Sequence, residues 1–222
     1  MTEDMAHTKI AAAIMAGGRS RRMAGRHKGL LLTPQGETFT ERILNEMQSL
    51  TDLVYISYGD TIQMENLDVG IVRDIYPGGG PISGLHAVLK KAAEDGAEAV
   101  AVAACDMPFV KAGLYRFLLQ TLICRAEEEK ETMPGRTVRD LFLSYDGVVP
   151  VTGGKIHPLA AIYSIRAVST FERRLENKEL RVREALEQLK ILYVEPAGTP
   201  YEEMLVNINT EEEYAAYKKA VK

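Results

Sequence analysis

Three short segments carry residue types suited to handling a phosphorylated ligand. The first is Ala16-Gly17-Gly18-Arg19-Ser20-Arg21-Arg22-Met23, followed by Lys28. Paired glycines let backbone N–H groups approach phosphate oxygens closely, and Arg22 and Lys28 supply the positive charge that a triphosphate and a departing pyrophosphate require. It is neither a Walker A loop, since no Gly-Lys-Ser/Thr follows at the required spacing, nor a GxGxxG fingerprint. The second segment, Arg73 to Pro81, places Gly78-Gly79-Gly80 between two prolines, so its backbone can lie against a planar base or a ribose. The third, Cys105-Asp106-Met107-Pro108, sets a carboxylate where it could hold Mg²⁺ against phosphates, or equally cap the helix that follows. Each composition also suits an ordinary turn, and their relation to the strands before them is what favours a ligand.

Those strands are legible as short apolar runs alternating with stretches of helical period. Ile10–Met15, Leu53–Tyr58, Ala99–Ala104, Gly147–Val151 and Ala160–Ile165 read as strands, the last two joined through the turn Thr152-Gly153-Gly154. Helices are predicted over Phe39 to Leu50, capped by Thr38 or Thr40, from about Ser83 to Ala92, after Pro108 through Leu122, and at 167–176, 181–189 and 211–219. The charged stretch Glu127–Asp140 reads as an exposed extension or loop. The pattern predicts an α/β fold: a Rossmann-like three-layer sandwich with a mostly parallel sheet, formed as a single domain over residues 1–222. In such sheets ligands bind beyond the carboxyl ends of the strands, where all three segments fall.

The 222 residues are 46% hydrophobic and 26% charged, the balance of a globular chain, and the net charge of −4 argues against a partner as anionic as nucleic acid. Cys105 and Cys124 have neither CxxC spacing nor a His/Cys cluster around them, so both read as reduced and structural. Residues 1–9 lack an apolar core, and no later stretch approaches the roughly 18 apolar residues of a membrane span, which makes the cytoplasm the expected location.

The segments AGGRSRRM with Lys28, GGGPISGL and CDMPF resemble, in order and spacing, those of the molybdenum cofactor guanylyltransferase family. His157-Pro158-Leu159-Ala160-Ala161 is similar to that family's His-Pro segment, and Asn207-Ile208-Asn209-Thr210-Glu211-Glu212 to its Asn-x-Asn ending, so the resemblance runs from Ile10 to about Tyr217. Two positions depart from the family pattern: His27 stands where an Asp usual to the family precedes the lysine, and Ala24 where a Gly usually follows Met.

The resemblance implies a fold of the nucleotide-diphospho-sugar transferase type and transfer of GMP from GTP to molybdopterin with release of pyrophosphate. It implies Ala16, Gly17, Gly18, Arg22 and Lys28 at the triphosphate, Asp74, Gly80 and Pro81 at the nucleoside, and Asp106 on Mg²⁺. Asn207 and Asn209 would lie near the metal and the pterin phosphate, and His157 near the acceptor. Transient contact with other cofactor-biosynthesis or molybdoenzyme-maturation proteins is implied too. Two alternatives stay open at this level: a cytidylyl- or guanylyltransferase with another phosphorylated acceptor, and a nucleotide-binding relative without turnover. Thr210 and Glu213 also fit a capping box for the last helix.

Overall fold

The computed structural model describes residues 9–17, 27–58, 69–130, 140, 142 and 144–220. Strand β1 (Ile10–Met15) and strand β4 (Ala99–Ala104) form the centre of the sheet. Both are rich in alanine and almost wholly buried, because helices cover both of their faces and small side chains let those helices come close. Strands β2 (Val54–Tyr58) and β3 (Gly70–Arg73) extend the sheet in parallel on one side. On the other side β7 (Ala160–Ser164) runs antiparallel to both β4 and β5 (Gly147–Thr152), and β8 (Ile191–Val194) pairs in parallel with β5. The order is β3-β2-β1-β4-β7-β5, with β8 and the two-residue β6 (Lys155–Ile156) on β5. The predicted mostly parallel sheet is therefore present, with β7 and β6 as its antiparallel members.

Alternation along the central strands divides the core into two layers. Ala12, Ile14, Ala99, Ala101 and Ala103 face helix α1 (Phe39–Gln48) and helix α3 (Ala112–Lys130). Ala11, Ala13, Val100 and Val102 face α2 (Pro81–Glu94), α4 (Val168–Glu176) and α5 (Val182–Leu186). The last helix, α6 (Glu211–Ala220), packs a smaller cluster of Leu31, Phe39, Ile208, Tyr214 and Tyr217 beside the sheet's carboxyl edge. Of the two candidate caps for α1, Thr38 makes the capping box with Glu41; Thr40 is buried and donates to Gly29 O at 2.9 Å.

Three expectations need correction. The Gly153-Gly154 turn, with φ of +53° and +77°, closes the short β5–β6 hairpin, and β7 pairs only with the first residues of β5. His157-Pro158-Leu159 forms the link between β6 and β7, so the chain leaves the ladder before rejoining it. Strands β3 and β8 went unread because each is only four residues long at the rim of the sheet: β3 (GIVR) has two apolar residues, β8 (ILYV) is apolar but brief, and only Val72 and Val194 in them are buried. Finally, α3 continues through Lys130 rather than ending in a loop near residue 127, while 131–139 lie outside the described residues. Among the described residues no helix is long and apolar enough to cross a membrane.

Candidate active site

The carboxyl ends of β1 and β4 are tied together by Cys105 N–H donating to Met15 O at 3.1 Å, which leaves Asp106 as the first side chain beyond the sheet at its centre. Lys28 reaches it from a short 3₁₀ turn (Lys28–Leu30), donating from Nζ to Asp106 Oδ2 at 2.9 Å. The same ammonium donates to Asn209 Oδ1 at 2.6 Å, and Asn207 Nδ2 donates to Asp106 Oδ1 at 3.0 Å. Between the two asparagines, Ile208 N–H donates to Asp106 O at 2.8 Å. Residues 78 and 181 positions from Lys28 thus meet at its one ammonium group. Both members of the ion pair are partly exposed, at 17% and 18%, which leaves the cluster open to a ligand.

Local packing explains why Lys28 projects here. A methyl group on Gly29 would lie 2.5 Å from Thr40 Oγ1 and 3.4 Å from Cys105 Cβ, so the 3₁₀ turn sits directly on α1 and the end of β4. Helix α6 clamps the other side: Tyr214 OH donates to Leu32 O at 2.8 Å, and Phe39 meets Tyr217 edge to face at 5.2 Å. The capping box read from Thr210 and Glu213 is present, and Glu213 Oε2 also accepts from Asn209 N–H at 2.6 Å. Burial pushes the Cys105 thiol up to about 12, with the neighbouring Asp106 charge acting in the same direction, so it stays a protonated packing group rather than a nucleophile.

The remaining predicted residues divide. Ala16 is buried and donates its N–H to Ser57 O at 2.9 Å, and Gly17 is exposed at the edge just beyond it. Gly18 and Arg22 lie outside the described residues, as do Ala24 and the two arginines between. Gly80 has φ of +65° and ψ of −153°, a conformation open essentially to glycine, and its strained turn delivers Pro81 to the first position of α2. The loop is braced from inside by Ser83 Oγ donating to Tyr76 O at 2.8 Å. A methyl on Gly84 would strike Met15 and lie 2.9 Å from Ser57 Oγ and 3.6 Å from Asp74 Oδ1, which locates Asp74 at the carboxyl ends of β1 and β2. Asp74, Gly80 and Pro81 therefore share the sheet edge with Asp106.

His157 shares that edge from the turn before β7. Its Nε2 shares a 2.6 Å hydrogen bond with Thr152 Oγ1, and its N–H donates to Pro150 O at 3.0 Å. Burial, aided by the nearby Lys155 charge, lowers its pKa to about 4 and keeps the ring neutral at pH 7. Among the described residues no hydrogen bond joins it to Lys28 or Asp106. Sequence reading missed Thr40, Thr152 and Tyr214 as supports, because a hydroxyl on an amphipathic helix or strand gives no spacing signal. It also missed His86, fully buried in the apolar stripe of α2, with its ring edge to face with Tyr76 at 5.4 Å.

Among the described residues no group of three or more His, Cys, Asp or Glu side chains is placed to hold a metal ion by itself. Asp106 with the amide oxygen of Asn209 nonetheless fits a hard cation that takes most of its ligands from phosphate and water. An ammonium, a carboxylate and a glycine-bearing loop at one sheet edge can bind a polyphosphate and neutralise charge developing on it, without any nucleophilic side chain.

Residues 12–192 match the MobA-like NTP transferase domain. A probable molybdenum cofactor guanylyltransferase of Pelotomaculum thermopropionicum is 32% identical over 201 residues, covering 89% of this chain and 86% of its own. One from Bacillus cereus is 31% identical over 220 residues, covering 96% and 97%. Among solved structures, molybdopterin-guanine dinucleotide biosynthesis protein A of Archaeoglobus fulgidus superposes with a TM-score of 0.73 at 24% identity, over 95% of this chain and 98% of its own. The 2-C-methyl-D-erythritol 4-phosphate cytidylyltransferase of Thermus thermophilus reaches 0.63 at 13% identity, covering 96% and 98%, and shares the fold alone. With most of its length matched, with relatives above 30% identity along nearly all of it and with this sheet beneath its candidate site, the chain belongs to the MobA-like NTP transferase family and is a nucleotidyltransferase.

Proposed function

We propose that this enzyme transfers GMP from GTP to molybdopterin and releases pyrophosphate. The observation that carries the reading is the Lys28–Asp106 pair held by Asn207 and Asn209 beyond β1 and β4. The names of the relatives support guanine and molybdopterin as the substrates. A phosphate oxygen of molybdopterin bonds to the α-phosphorus of GTP while the bond from that phosphorus to the β-bridging oxygen breaks, its electrons leaving with pyrophosphate. Ala16 would set the start of the triphosphate loop, its own N–H being held by Ser57 O, while Gly17 and Gly18 would offer backbone N–H groups to the triphosphate and Lys28 with Arg22 would offset the charge gathering on the leaving group. Asp74, Gly80 and Pro81 would receive the nucleoside, whose base can lie flat on the glycine backbone.

Nucleotidyl transfer ordinarily runs with a divalent metal, and we assign Mg²⁺ to it, held by Asp106 and supplying charge neutralisation between phosphates. Asn207 and Asn209 orient Asp106 and Lys28 directly, and reach the pterin phosphate only beside them. His157, neutral and hydrogen-bonded to Thr152, would contact the acceptor without removing a proton. The whole chain is read as one domain, acting in the cytoplasm without nucleic acid or membrane as partner, with cofactor-maturation proteins as transient contacts.

The test is pyrophosphate release from each of the four NTPs with and without molybdopterin. Release from GTP alone among the four, and only when the pterin is present, is the expected result. Equal release with CTP would remove the guanine assignment, and release that ignores the pterin would remove the acceptor.

A further inference from the structure

The Lys28 ammonium occupies the oxygens that a metal would use. It sits 2.9 Å from Asp106 Oδ2 and 2.6 Å from Asn209 Oδ1, and Asn207 takes the other carboxylate oxygen from 3.0 Å. A Mg²⁺ bound to Oδ2 would stand roughly 2.1 Å from that oxygen, which brings it within a few ångströms of the ammonium. Two cations at such a distance repel strongly in a partly desolvated cleft. A triphosphate changes the balance, because it offers Lys28 a more highly charged partner and supplies the metal with further oxygen ligands. The lysine stem is flexible enough to follow, while Gly29, wedged against Thr40 and Cys105, keeps the backbone turn in place.

We propose that Lys28 is a built-in counter-ion for Asp106 that keeps free metal out of the site and hands its two oxygens over only when a nucleoside triphosphate draws the ammonium away. The site would then load metal and nucleotide together rather than metal first, and its carboxylate would not rest uncompensated between turnovers. This rests on the proposed roles of Asp106 and the triphosphate but not on the identity of the acceptor.

The test is a Mn²⁺ titration of the full chain, with free Mn²⁺ followed by electron paramagnetic resonance and each variant's fold checked by its melting curve. Wild type should bind Mn²⁺ weakly until a non-hydrolysable α,β-methylene GTP is added. Lys28→Met should bind Mn²⁺ without nucleotide on the order of tenfold more tightly than wild type, since one opposing unit charge is removed. That gain should vanish in Lys28→Met/Asp106→Asn. A folded Lys28→Met with wild-type Mn²⁺ affinity overturns the exchange, and if pyrophosphate release persists in wild type the transferase reading stands. A gain that survives Asp106→Asn also overturns it, because the metal then sits elsewhere. Absence of Mn²⁺ binding by wild type, with or without the analogue, together with absence of pyrophosphate release, overturns both. The Lys28 ¹⁵Nζ resonance gives a check on unmutated protein: it should shift when analogue and Mg²⁺ are added together, and an unmoved resonance is incompatible with the exchange.

Discussion

Replacing Gly29 with alanine adds one methyl group at the position that couples Lys28 to the rest of the molecule. The new Cβ would lie 2.5 Å from Thr40 Oγ1, well inside the roughly 3.5 Å at which non-bonded heavy atoms attract one another. Two responses are available. Thr40 can rotate, breaking its 2.9 Å hydrogen bond to Gly29 O and leaving a fully buried hydroxyl unpaired, at about 1–3 kcal/mol. Alternatively the 3₁₀ turn can lift off α1, opening its contact with Cys105 and carrying the Lys28 stem with it, an overpacking response that costs about 1–3 kcal/mol.

Either route gives a loss of about 1–3 kcal/mol, which in a chain of this length lowers the melting temperature by roughly 2–12 °C. The assay is urea denaturation, read as a double-mutant cycle with Thr40→Ala. Thr40→Ala alone should cost about 1 kcal/mol, and adding Gly29→Ala to it should cost much less than in wild type, because the obstructing oxygen is gone. Strict additivity of the two substitutions, or a Gly29→Ala protein within about 0.5 kcal/mol of wild type, would refute the packing account of the turn.

Lys28→Ala should lower kcat by about 10²-fold or more while weakening nucleotide binding less, as measured by steady-state pyrophosphate release against nucleotide titration; a collapse of binding with kcat intact would make it a ground-state anchor. Asp106→Ala should abolish metal-dependent release in a protein that still melts cooperatively, since the side chain lies beyond the sheet and outside the core. His157 has its pKa lowered to about 4 against the ordinary 6.5, so the unfolded chain takes up the proton first as pH falls. Stability present above pH 6.5 should then be lost between pH 6.5 and 4, by about 2–3 kcal/mol in denaturant midpoints, and His157→Gln should be flatter across that window. Burial lowers the pKa of His86 as well, which adds to the loss in the same direction and remains in the variant.

The sequence was most informative where one physical constraint dominated. All six residues of Ala99–Ala104 are buried and the first five alternate between two helical layers, the mark of a strand at the centre of the sheet, and from that the position of Asp106 followed. The meeting of Lys28 with Asp106 was legible as a shared sheet edge but not as a contact. That Asn209 lies near Asp106 was legible only through the family resemblance, and its Oδ1 accepting from the Lys28 ammonium not even so, because nothing in local spacing says that a segment 181 residues away folds back onto the first loop. The edge strands β3 and β8 were lost for a different reason: with one buried residue each, pairing rather than burial makes them strands. His157 was read through its Pro neighbour, and its tie to Thr152 emerged only once the chain was seen to leave the β5–β7 ladder at that point.

The family match ends at residue 192, yet three of the hydrogen bonds that fix the Lys28–Asp106 pair come from residues 207–209. The matched domain therefore supplies the ion pair, and the last thirty or so residues hold it through Asn207, Ile208 and Asn209, with Glu213 and Tyr214 of α6 anchoring that end of the chain in turn. Such an arrangement makes the geometry of the ammonium sensitive to a helix that carries none of the proposed ligand residues. Tyr214→Phe removes only the bond to Leu32 O, which should cost about 1 kcal/mol of stability. If α6 serves as the clamp on the Lys28 turn, the same change should lower kcat for pyrophosphate release while leaving the KM for nucleotide close to wild type, because the nucleoside is proposed to lie across the edge at Gly80. A stability loss with unchanged kcat would show that Phe39, Tyr217 and the Asn207–Asn209 bonds hold the turn without it, and α6 would then be a packing element only.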